Sequence, residues 1–194
     1  MRSQINRLFA GTNIITHIVI LILTVELVFA QTELITNGGF ESGSTGWGMS
    51  GAIVSNGEYP HTGSRYAILG EFHSVTDVMY QTVTIPATAT SATLTFWYNI
   101  GSEDAGAAPN DVLTVTIQNQ AGTSTSELVA VYANTDRHNA ARVYSQKSFP
   151  MTQYRGQTVR LNFLCTTNGS LVTSFKIDDV SISTVTPDHL AFLI

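Results

Sequence analysis

The sequence predicts an all-β protein built from two antiparallel sheets. Three observations lead there. After residue 30 no stretch carries a capped 3.6-residue apolar period. Short runs instead alternate with period two, so that Leu113, Val115 and Ile117 share one strand face. Turn-forming residues separate the runs at fairly even spacing, as at Asn56-Gly57, Ala121-Gly122, Arg155-Gly156 and Asn168-Gly169-Ser170. Many short strands punctuated in this way read as a sandwich or barrel.

Residues 1–30 stand apart. Arg2 and Arg7 precede an apolar stretch from Ile14 to Phe29, and Val28-Phe29-Ala30 places modest residues ahead of Gln31. This is the layout of a cleaved signal peptide, with secretion to the extracellular space as its consequence. The alternative is an uncleaved anchor. His17 and Glu26 lie inside the apolar run, and ionisable groups are costly in a bilayer core. The run is also short of the roughly 20 residues a spanning helix needs. No membrane span is expected once the leader is removed.

The strand candidates, in order, are 33–36, 52–56, 65–70, 78–85, 92–98, 112–118, 127–133, 143–149, 158–163 and 173–183. Residues 31–183 are long enough to bury one core without disulfides, and Cys165 is the only cysteine. It sits in the apolar run 160–165 and reads as a buried, inert thiol. Two longer polar loops are expected at 101–110 and 134–142, and residues 184–194 read as a C-terminal tail with an apolar end. The formal charge is −5, and the basic residues are scattered singly. Nucleic acid is therefore a poor partner.

Two motifs bracket the chain: Asn37-Gly38-Gly39-Phe40-Glu41, followed by Gly46-Trp47, and Phe175-Lys176-Ile177-Asp178-Asp179-Val180. Each sets acids beside residues that would normally be buried, and a bare buried charge is very costly. A hard cation held between the first and last strands would serve both sets. The alternative is that Asn37 and Glu41 cap a turn while Asp178 and Asp179 are solvated at a strand end. Alternation cannot put both aspartates on one strand face.

The ordered set of segments 37–41, 46–47, 63–67, 94–98, 156–163 and 177–181 resembles carbohydrate-binding modules of the cellulase-C type, within the galactose-binding-like jelly rolls. The resemblance implies a two-sheet jelly-roll β-sandwich with a structural calcium ion. It carries metal ligation onto Glu41, Asp178 and Asp179; Asn37 is the further metal candidate, and the glycines at 38 and 39 let the backbone turn its carbonyls inward. Calcium takes 6–8 oxygens, carboxylate and carbonyl alike.

A glycan ligand would call for exposed aromatic faces and planar polar side chains. If Phe96 is core, Trp97 is turned outward as a stacking candidate, unless a loop covers it. Tyr59 and Phe72 lie near loops, where ligand contacts concentrate. Asn99, Gln118 and Asn162 lie on strands, where they either face water or bond hydroxyls. Trp47 reads as a core anchor. No catalytic pattern stands out: Glu103-Asp104 are adjacent in a loop, the histidines are isolated, and there is no Gly-x-Ser-x-Gly elbow or His-Glu-x-x-His helix. The expectation is a secreted, non-catalytic module that binds carbohydrate. Its rival is an extracellular structural or adhesion module that contacts protein rather than glycan.

Overall fold

The computed structural model describes residues 28–188 and contains eleven strands. They are β1 (Val28–Glu33), β2 (Gly48–Ser50), β3 (Ile53–Ser55), β4 (Tyr66–Gly70), β5 (Thr76–Thr84), β6 (Ser91–Ser102), β7 (Val112–Asn119), β8 (Thr125–Ala133), β9 (Ser145–Pro150), β10 (Thr158–Thr166) and β11 (Thr173–Asp188). Two single-turn 3-10 helices, Asn134–Asp136 and Thr152–Tyr154, interrupt them. Among the described residues no helix is long and apolar enough to cross a membrane.

All strand pairs are antiparallel and form two sheets. Sheet A runs β3-β4-β11-β6-β9, and β1 also pairs with β11. Sheet B runs β2-β5-β10-β7-β8. This is the expected two-sheet sandwich, and period-two alternation explains its core. Leu94 and Phe96 of β6, with Phe175 and Ile177 of β11, meet Leu161 and Phe163 of β10 and Val115 and Ile117 of β7. Phe96 and Phe163 meet edge to face across the sheets, 5.3 Å apart. Trp47 lies between Phe40 and Phe163 as the expected core anchor, its indole N–H donating to the Asn37 carbonyl at 3.1 Å. Cys165 is buried, and burial pushes its thiol up to about 12, which fits an inert thiol.

Three elements differ from expectation. The first strand spans 28–33 rather than 33–36, because its partner is the distant second half of β11 and not a local hairpin. Strand β2 is three residues long, too short for periodicity to register. Strand β11 runs on to Asp188, into the expected tail, and its register with β1 pairs Val28 with Asp188. The expected boundaries after Ala30 and after Ser183 thus both fall within this strand pair. Residues 1–27 of the expected leader, and 189–194 of the expected tail, lie outside the described residues.

Candidate functional site

The two terminal motifs do meet. Val180 donates its N–H to the Gly38 carbonyl at 3.0 Å, beside a bulge that shifts the β11 register between Asp178 and Ser181. The bulge places Asp179 at φ 45°, which re-aims its side chain and lets both aspartates address one region. A Cβ at position 38 would strike the Val180 carbonyl. Gly38→Ala is therefore expected to cost about 2–3 kcal/mol in urea denaturation, since the obstacle is backbone rather than a movable side chain. A change below about 0.5 kcal/mol would contradict this close approach.

One loop, His61–Arg65, supplies partners to all three acids. The Asp178 carboxylate accepts from the His61 and Thr62 backbone N–H groups at 2.9 and 3.3 Å, and its other oxygen accepts from the Asp179 N–H at 2.8 Å. Asp179 accepts from the Thr62 hydroxyl at 2.7 Å and meets His61 Nδ1 at 2.6 Å. Glu41 accepts from the Ser64 and Arg65 N–H groups and from the Ser64 hydroxyl. The Ser64 contacts, hydroxyl first, hold the Glu41 carboxyl below its ordinary value. Glu33 secures the far side of the bulge through the Ile182 N–H at 2.9 Å and the Ser181 hydroxyl.

Asn37 is used differently from the metal role considered for it. Its amide donates to the Gly43 and Thr45 carbonyls and accepts from the Ser42 N–H, which closes the turn after β1. Asp178 is 0% exposed. Burial, and then the neighbouring charge of Asp179, pushes its carboxyl up to about 7. The only ion-pair partner of these aspartates among the described residues is His61. The excess negative charge and the oxygen donors fit a hard cation at the aspartate pair. Among the described residues, however, no three His, Cys, Asp or Glu side chains converge as a metal group. Calcium's full oxygen count would have to come from carbonyls and water.

The expected ligand residues are dispersed. Phe96 is core and Trp97 faces outward, as alternation requires, but His61 stacks on the Trp97 ring at 3.9 Å and 17°. Tyr144 stands 5.4 Å from His61 and donates its hydroxyl to the Tyr59 carbonyl, while Arg142 lies over the Tyr59 ring at 4.2 Å. Trp97 and Tyr59 thus belong to one aromatic group beside the aspartates. Asn99 is 1% exposed, and its amide holds the loop carbonyls of Ala140 and Val143. Phe72 stands alone, 63% exposed. Gln118 lies on the outer face of sheet B.

That outer face carries a second group, which sequence reasoning did not assemble. Asn162 on central strand β10 has Thr116 and Tyr80 as its lateral neighbours, and Arg160 has Gln118 and Thr82. The Arg160 guanidinium lies 4.1 Å over the Tyr80 ring. The exposed Leu128 of β8 sits beside Thr116. Among the described residues the buried side-chain polar atoms without a hydrogen-bond partner are Thr116 Oγ1 and Arg160 Nε, both on this face. A buried unmet donor or acceptor costs about 1–3 kcal/mol, so such atoms call for an explanation. The only prior signal was the alternation that turns residues 116, 118, 160 and 162 away from the core.

No protein-family model matches this sequence, and no curated protein matches it. Solved structures do. The chain is similar to TmCBM61 in complex with β-1,4-galactotriose, with a TM-score of 0.58 and 13% identity over 81% of this chain and 99% of that one. It is also similar to the K1 cleaved adhesin domain of Lys-gingipain from Porphyromonas gingivalis W83, with a TM-score of 0.51 and 13% identity over 80% of this chain and 97% of that one. The fold is therefore the jelly-roll β-sandwich that carbohydrate-binding modules use.

Proposed function

We infer that the chain is an exported, non-catalytic binding module that takes a carbohydrate across the outer face of sheet B. The observation that carries this reading is the pair of unmet polar atoms, Thr116 Oγ1 and Arg160 Nε, among Gln118, Asn162 and the Arg160–Tyr80 stack. Both atoms are shielded from solvent in the free chain, and a sugar hydroxyl, which both donates and accepts, reaches them only with a small shift of the Arg160 side chain. The stacked guanidinium offers a flat, hydrogen-bonding surface to lie against. The leader-like composition of residues 1–30 supports export. A structural calcium ion at Asp178 and Asp179 belongs to the same reading, supported by two adjacent carboxylates that have His61 as their one ion-pair partner among the described residues. Bound there, calcium would supply positive charge, while the His61–Arg65 loop holds the carboxylates in place.

The fold alone does not select a sugar, because an adhesin domain shares it. The test is a glycan array probed with the full chain. Saturable binding to one glycan class is expected. Uniform silence across the array, together with saturable binding to an extracellular protein, would replace this reading with the adhesion module.

A further inference from the structure

Sheet A presents its own outer face on the opposite side of the sandwich, and that face holds a cavity of about 360 Å³. Its walls include Asn99 and Gly101 of β6, Ser174 and Lys176 of β11, and His138 and Asn139 of the loop before β9. The volume lies within the range of about 300–1,000 Å³ common for small-molecule sites, at its smaller end. The space depends on a missing side chain. Gly101 and Ser174 are register partners, and a Cβ at Gly101 would come within 3.2 Å of the Ser174 hydroxyl.

Lys176 is the one formally charged residue in the lining. It sits on the central strand between Ile68 and Asn99. Its ammonium lies 5.0 Å from the centre of the Tyr66 ring, and among the described residues it makes no salt bridge. Glu71 is the carboxylate whose charge reaches it, from beyond ion-pair distance. Asp178, two residues along the strand, is committed to the His61–Arg65 loop. His138 adds no charge. Its Nδ1 accepts from the Ile100 N–H at 3.1 Å, which leaves Nε2 to donate to the Ser145 hydroxyl, and burial holds its pKa below the ordinary value. The cavity therefore pairs one uncompensated, partly desolvated positive charge with hydroxyl and amide neighbours.

We propose that this cavity is a second, separate binding site for an acidic sugar unit, in which the carboxylate of a uronate is held by Lys176 and ring hydroxyls are held by the Ser174 side and the Asn139 loop. A single ammonium is a point charge and matches one carboxylate. A doubly charged phosphate would call for more donors or a guanidinium fork. The proposal takes from the preceding section only that the ligand is a sugar, and it uses the other sheet.

The experiment is an amide-resolved NMR titration of the full chain with sodium glucuronate or galacturonate at fixed ionic strength. Glucose, galactose and acetate serve as controls. Saturable shifts are expected at residues 99–102, 138–141 and 174–176 with a uronate, and not with the neutral sugars. Lys176→Met, which keeps the aliphatic stem, is expected to weaken uronate binding at least about tenfold, the scale of a lost charge-assisted hydrogen bond. Gly101→Val, which fills the cavity and leaves the charge, is expected to do the same. The variants' own spectra report whether they fold. Equal binding in Lys176→Met, no shift at these amides, or an acetate affinity equal to the uronate's would each overturn the proposal. Arg160→Ala separates the two readings. It should leave uronate shifts intact, so loss of neutral-glycan binding in that variant bears on sheet B alone.

Discussion

Replacing Arg160 with alanine is expected to weaken binding of an array-identified glycan by about 30- to 150-fold, or roughly 2–3 kcal/mol. Three losses coincide in that change: a charge-assisted donor at Nε, the flat surface over Tyr80, and packing of the aliphatic stem on strand β10. Arg160→Lys should recover little, because an ammonium has no planar fork and stacks less well on an aromatic ring. Tyr80→Ala should weaken binding less than Arg160→Ala, because it removes the support beneath the guanidinium and leaves the guanidinium itself. Isothermal titration on the three variants, with native spectra as the folding control, gives the ranking. An Arg160→Ala protein that binds as tightly as the parent would move the ligand off this face.

The second large effect is on stability. Asp178 has a raised pKa in the folded state, about 7 against an ordinary 3.8. In chelator, the protonated form is the one the buried site favours. Its contribution is fully present below about pH 4 and is lost as the pH climbs through 7. At about 1.4 kcal/mol per pKa unit, the loss is on the order of a few kcal/mol. Added calcium should offset that loss at pH 8, where the carboxylates are ionised, and do little at pH 4. Asp179→Asn provides the matching substitution. Asparagine tolerates the left-handed backbone at this position. Its amide can still accept from Thr62 and donate to His61. In chelator at pH 8 the variant should be more stable than the parent by on the order of 1 kcal/mol, because a like charge beside Asp178 is gone. It should also lose most of the calcium response. Thermal melts across pH 4–8 decide the matter, and a flat profile in chelator with no shift on adding calcium would end the cation reading.

Much of the sandwich was legible because alternation is a local property. Residues 92–98, 112–118 and 158–163 each declared their buried face within six or seven positions, and those faces are the core. The meeting of the two terminal motifs was legible because acids beside buried positions demand company. What supplies much of that company was not legible. The His61–Arg65 loop reaches the aspartates across more than a hundred residues, and its hold on Asp178 is through backbone N–H groups, which leave no mark on residue type. The Arg160–Tyr80 stack escaped notice for a related reason. Its partners are diagonal neighbours, Tyr80 beside Asn162 and Arg160 beside Thr82, which is apparent only once the register between β5 and β10 is known, and register is set by the whole sheet. Trp97 shows the converse: alternation correctly turned it outward, but could not say that a histidine from a distant loop would lie on its ring.

The pairing of Val28 with Asp188 has a mechanical consequence. Both ends of the described chain leave from the same end of one antiparallel ladder. Tension between them would open the β1–β11 hydrogen bonds in succession, one after another, instead of loading them together in shear. Peeling would then reach Glu33 and the Gly38–Val180 contact, where the bulge and the His61–Arg65 loop knit the strands more densely. Under a steady pull, the first six pairs should yield at low force and the rest of the sandwich at a distinctly higher one.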